Sequence, residues 1–206
     1  GDDLSQIKEK LAAINPLYAI QNLKSTQKEF LGYFGVIINN DDPANPSRVT
    51  DITIAEVTAK KKIWYAGRFQ RFAMGYRPTQ AATLAAIDAK YGKPSYSKSS
   101  ELRWDFLVEG SQYEGLPENS PCFGMKTSKT EGLEIPNVFM ERCGKSIKVN
   151  IYANQGFVDE LSVNISEPAV MYNELETERK IKRDAERRAA AQQNELERNR
   201  NIAPGL

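Results

Sequence analysis

Two runs of strict alternation, split by a turn, constrain this chain more than any other feature. Ile147, Val149 and Ile151 alternate with Lys148 and Asn150, and Leu161, Val163 and Ile165 alternate with Ser162 and Asn164. Asn154-Gln155-Gly156 lies between the two runs. A strand points successive side chains to opposite faces, so this pattern predicts an antiparallel hairpin with one buried face on each strand. Such a hairpin needs more sheet beside it and an apolar layer over it.

The rest of the chain supplies both. Leu102, Trp104, Phe106 and Val108 alternate with Arg103 and Asp105, which predicts another strand. Further strands are expected at 17–23, at 29–39 with Gly32 and Gly35 as bulge points, at 49–58 and at 61–72. The last two are joined by a tight turn near Ala59-Lys60, and 39–47 reads as a loop rich in Asn, Asp and Pro. Leu4, Ile7, Leu11 and Ile14, led by Asp2 and Asp3 and stopped by Asn15-Pro16, predict a helix over 3–14. Pro78-Thr79 opens a second helix over 79–91, which Gly92 caps and Pro94 prevents from continuing.

From Glu167-Pro168 onward the character changes. Glu176 and Lys180, Glu178 and Lys182, and Asp184 and Arg188 are i,i+4 pairs with the acid first, the stabilising order. No Gly or Pro intervenes before Pro204, so one helix is predicted over 168–200, roughly 50 Å long at 1.5 Å per residue. Its apolar points are sparse, and a stripe of Leu175, Ile181, Ala185 and Ala189 is its candidate association face, for another copy or another protein. The solvated single helix is the competing reading.

The fold class predicted is therefore α+β: an antiparallel sheet with two helices, followed by a long C-terminal helix. Residues 1–77 and 78–167 each read as a helix plus about four strands, which a divergent duplication would produce. Residues 168–206 form the charged helix and tail. Ala89-Lys90-Tyr91-Gly92-Lys93-Pro94, then Trp104-Asp105-Phe106, then Cys143-Gly144, resemble a pattern in uncharacterised bacterial exported proteins. In outline the helix-plus-strands order is similar to the β-lactamase-inhibitor-protein-like and small outer-membrane-assembly lipoprotein folds. That resemblance implies a binding or assembly module rather than an enzyme, and it carries over no functional residues.

Composition narrows the chemistry. The 206 residues include no histidine, which removes Ser-His-Asp and Cys-His systems and the commonest transition-metal ligand. Neither a Gly-x-Gly-x-x-Gly nor a Walker-type loop occurs, so no cofactor is expected. With 28 basic and 27 acidic residues the chain has no global field, and nucleic acid is not an expected partner. No run of 18 apolar residues offers a membrane span. Cys122 and Cys143, 21 residues apart across a loop rich in Gly, Ser and Thr, are expected to form a disulfide, which requires an oxidising compartment. A reactive thiol and two buried free cysteines are the alternatives. The polar start without Met, Gly1-Asp2-Asp3, reads as a mature exported protein, periplasmic or secreted, whose signal has been removed.

Three readings of function follow. The first is an exported module that binds a protein. The second is a small hydrolase built on carboxylates brought together by the fold, with Asp51, Glu56, Asp159 and Glu160 as the acids considered. The third uses the segment from Lys60 to Arg77 to bind an anionic polymer, with Trp64, Arg68, Gln70 and Phe72 on one face of a strand and Ile63, Tyr65 and Phe69 on the other. Against the third stands a plainer expectation, a strand buried on both faces whose arginines find carboxylates or solvent.

Overall fold

The computed structural model describes residues 4–24, 29–36, 48–60 and 62–200. Helix α1 (Leu4–Ile14) leads into strands β1 (Ala19–Lys24), β2 (Glu29–Val36), β3 (Arg48–Val57) and β4 (Ile63–Phe72). Helix α2 (Gln80–Tyr91) leads into β5 (Tyr96–Lys98), β6 (Glu101–Leu107), a short hairpin of β7 (Thr127–Thr130) and β8 (Leu133–Pro136), then β9 (Cys143–Asn154) and β10 (Phe157–Ser166). Helix α3 (Pro168–Arg200) closes the chain as one uninterrupted element of 33 residues. The architecture is α+β, as the patterning requires. Asp2 and Asp3, the loop at 39–47, Lys61 and Pro204-Gly205 lie outside the described residues.

Eight strands make one sheet in the order β1-β2-β3-β4-β10-β9-β6-β5, and every pair is antiparallel. Each half contributes a helix and four strands. The halves meet where β4 pairs with β10, from Arg71 opposite Glu160 to Tyr65 opposite Ser166. Residues 1–77 and 78–167 thus share a single sheet. The β7–β8 hairpin, which periodicity did not reveal, interrupts the second half.

Local chemistry explains the joints. Thr79 Oγ1 accepts the Ala82 amide at 3.2 Å, and Gly92 at φ 71° donates its amide back to Asp88, so both ends of α2 are closed. Gln155 and Gly156 both have positive φ, 51° and 81°, the conformation whose twist suits a two-residue antiparallel turn between β9 and β10.

The two faces of the sheet are covered differently. On one, Ile87 of α2 packs with Trp104, Ile147, Val149, Ile151 and Val158, and Leu11 of α1 packs with Tyr18 and Ala55. On the other, the hairpin crosses the sheet. Leu133 and Ile135 pack with Ile52, Ile54, Tyr65 and Phe69, and Met171 of α3 joins them. Glycine permits the close approach: a Cβ on Gly132 would stand 2.5 Å from the Phe69 ring, and one on Gly67 would stand 3.0 Å from Leu133 Cδ2.

Cys122 and Cys143 are joined in a disulfide, with Cα atoms 4.9 Å apart and both residues buried. The bond ties the loop after β6 to the first residue of β9. Closing a loop of this size contributes about 3 kcal/mol in the chain-entropy account.

Candidate interaction surface

The segment considered for binding anionic polymers is interior. Trp64 is 2% exposed and packs edge-on against Phe139 with ring centroids 5.1 Å apart. Gln70 is buried, and Phe72 packs against the α2-side cluster. Arg68 donates from Nε and Nη2 to the two Asp51 oxygens at 2.9 and 2.7 Å. Trp64, Arg68, Gln70 and Phe72 therefore do not form an open surface. The β7–β8 hairpin covers the face that carries Trp64, Tyr65 and Phe69, and on the other face Phe72 packs with the α2-side cluster while Asp51 holds Arg68, so the strand is covered on both sides. The expected alternation also fails at one residue. Trp64 shares a cluster with Tyr65 and Phe69, beside the register shift between Glu56 and Val57. The other two arginines of the segment are paired as well, Arg71 with Glu160 at 2.8 Å and Arg77 with Asp159 at 2.7 Å.

The carboxylates are each engaged where they stand. Asp51 is fully buried and takes Arg68, the Tyr18 hydroxyl at 2.8 Å and the Asn15 amide at 3.5 Å. Burial pushes the Tyr18 phenol up to about 12, so it remains a neutral donor to that carboxylate. Burial pulls the Arg68 guanidinium down, and the Asp51 carboxylate more than offsets it. Asp105, also buried, accepts the Ser120 and Ser146 hydroxyls and lies 3.0 Å from Arg103 Nε. Asp159 and Glu160 go to different arginines. A hydrolytic acid–base pair needs two carboxyls facing one space with a proton free to move; Asp51 and Asp105 instead close two separate buried clusters, and Asp159 and Glu160 each pair with a different arginine.

One convergence of acids was invisible in sequence. Lys148 Nζ lies 2.9 Å from Glu101 Oε2 on β6 and 2.8 Å from Glu134 Oε2 on the hairpin. Burial lowers the Lys148 pKa, but hydrogen bonds to the two carboxylates raise it above its usual value in the net. With Asn164 Oδ1 accepting both the Glu134 amide and the Tyr65 hydroxyl, this contact fastens the hairpin to the sheet. The signal available was Glu131-Gly132, a turn pair between Thr130 and Leu133, yet the flanking strands of four residues are too short to show a period.

Helix α3 divides into a base and an extension. Pro168, Ala169 and Met171 are buried, Glu174 Oε1 accepts the Ala59 amide at 2.5 Å, and Leu175 is half-buried. From Thr177 to Arg200 every residue except Asp184 is exposed, with Ile181 at 65% and Leu196 at 71%. Ile181, Ala185 and Ala189 share one face of the helix with Asp184, Arg188 and Gln192. Of the proposed association stripe, Leu175 thus belongs to the anchored base and the other three residues to the exposed extension.

A second apolar exposure was not anticipated. Met74 and Tyr76, in the linker from β4 to α2, are 86% and 56% exposed, and Tyr152 and Phe157 beside the β9–β10 turn are 65% and 42% exposed. The linker and turn are bonded, Val158 N–H to Pro78 O and Gln80 N–H to Gly156 O, both at 2.9 Å. Arg77 stacks over the Phe157 ring at 5.5 Å.

Among the described residues no group of three metal-ligating side chains occurs, and no helix is long and apolar enough to cross a membrane. The chain matches no family model, no curated protein and no solved structure.

Proposed function

We propose that this chain is an exported, non-catalytic protein-binding module whose docking element is helix α3. The observation that carries the reading is the extension from Thr177 to Arg200, exposed at every residue but one and bearing Ile181 and Leu196 in the open. A lone helix in water draws little stability from propensity and surface pairs, so an apolar stripe held out on a stiff rod suits packing against a second protein surface. Alanines along the stripe let a partner's backbone come close. The buried disulfide supports placement outside the reducing cytoplasm, in the periplasm or secreted. The engagement of the buried carboxylates supports binding rather than hydrolysis. The helix-then-four-strands order in both halves is in keeping with the resemblance to binding and assembly modules.

The test is deletion from Thr177. The extension buries almost nothing, so at about 25 cal/mol per Å² its loss costs the body little. The truncated chain should melt within a few degrees of the full chain. The full chain should self-associate in sedimentation or retain an envelope partner on purification, and the truncated chain should do neither. Full and truncated chains that are both monomers, and that hold the same partners equally, would show the reading to be wrong.

A further inference from the structure

The exposed extension of α3 has a second face. At 100° per residue, Lys180, Arg183, Arg187 and Arg198 fall within an arc of about 60°, centred roughly 130° around the helix from Ile181. Lys180 and Arg198 stand about five full turns apart, so the row runs parallel to the axis for about 27 Å. All four are exposed, and between Arg187 and Arg198 the arc holds only the neutral Asn194. Among the described residues none of the four has a side-chain partner; Glu176, the acid one turn before Lys180, pairs with Arg179 instead. We propose that this row docks the protein on an anionic lipid bilayer, with the helix lying along the membrane plane. The role goes beyond that of the apolar stripe and uses a different side of the same helix.

The distribution of charge selects a plane. The extension as a whole is mixed, yet its acids all lie at least about 40° outside the arc. Asp184 and Glu195 bound the row on one flank, and Glu186 and Glu197 bound it on the other. A surface tangent to the row therefore meets four cations and no carboxylate. A polyanion that wraps the helix, or a nucleic-acid groove whose phosphates rise on both sides of it, would also meet the flanking acids. The headgroup phosphates of an anionic leaflet lie in one plane, and a straight row of guanidinium and ammonium groups reaches them together. The arc holds no apolar residue, so the helix rests on the headgroups and does not enter the acyl region.

The attraction is local. The chain carries a formal net charge of only +1, so no global field draws it to an anionic surface. The row is also presented ready-made: the buried Met171 and the Glu174 contact to the Ala59 amide hold the base of the helix against the sheet, which lowers the ordering cost of docking.

The probe is the oxidised full chain, sedimented with large vesicles of phosphatidylglycerol and phosphatidylcholine in equal parts and with vesicles of phosphatidylcholine alone. Binding at least about tenfold tighter to the anionic vesicles is expected, and it should fall steeply with added salt. A basic residue close to an anionic surface strengthens binding roughly fivefold. Arg183→Gln with Arg187→Gln should therefore weaken it at least about tenfold. Lys182→Gln with Arg200→Gln removes the same charge from the far side of the helix and should change it less than about twofold. All four residues are exposed, and circular dichroism checks that the helix is intact in both double variants. The chain cut at Thr177 should not bind. Failure to sediment with anionic vesicles, equal binding to both vesicle types, equal loss in the two double variants, or capture of duplex DNA in place of anionic vesicles would each overturn the proposal. The vesicles hold no protein, so failure here leaves the protein-binding role of Ile181 and Leu196 standing, and failure of that role leaves this one.

Discussion

Trp104→Ala should lower the unfolding free energy by about 3–5 kcal/mol, the range for truncating a large buried aromatic. Trp104 is fully buried, its ring lies 5.4 Å from Tyr91, and it packs among Ile87, Ile147 and Val149. Truncation leaves a void where α2 meets β6 and β9, and it removes the Nε1 donor from Gly92 O, at the end of α2. Urea denaturation followed by circular dichroism measures the loss. A change below about 1 kcal/mol would mean that the indole is not part of this core.

Asp51→Ala should be nearly as costly, at about 3 kcal/mol, by another mechanism. The carboxylate is the common partner of Arg68, Tyr18 and Asn15. Removing it leaves a guanidinium, 31% exposed at its side chain, facing a site built for an anion. It also takes one acceptor from a phenol held neutral by burial; Thr53 Oγ1 at 3.0 Å remains within reach of that hydroxyl. Replacing both partners, Asp51→Leu with Arg68→Met, should recover a good part of the loss, because no charge is then left behind. If the double variant is no more stable than Asp51→Ala, the cost lies in packing and not in the cation that has lost its carboxylate. The same urea titration reads both variants.

The parts of this fold that could be read in the residues are those whose physics is local. The β9–β10 hairpin follows from period-two alternation around Gln155-Gly156, and α2 follows from Thr79 and Gly92 at its ends. The span of α3 follows from a run of charged helix formers without a helix breaker, although Glu176 pairs with Arg179 at i,i+3 rather than with Lys180. What could not be read depends on register between distant segments. Asp51 looks like the polar side of an alternating strand until β4 sets Arg68 beside it. Lys148 looks solvent-facing until Glu101 and Glu134 arrive from β6 and from the hairpin. The hairpin itself is the largest omission, and it reverses the reading of Trp64: a strand with aromatic and basic residues is a surface if one face is open and a core strand if both are covered.

The central claim is that the open stripe of α3 meets a partner. It is tested most directly by placing a photo-crosslinking amino acid at single sites on the extension of the full chain in its native envelope. At 100° per residue, Ile181 and Arg183 point to opposite sides of the helix. Adducts of one defined mass from positions 181 and 196, with none from 183 and 187, are the predicted result. No adduct at any position, or equal labelling around the helix, would contradict the account and leave α3 a solvated appendage.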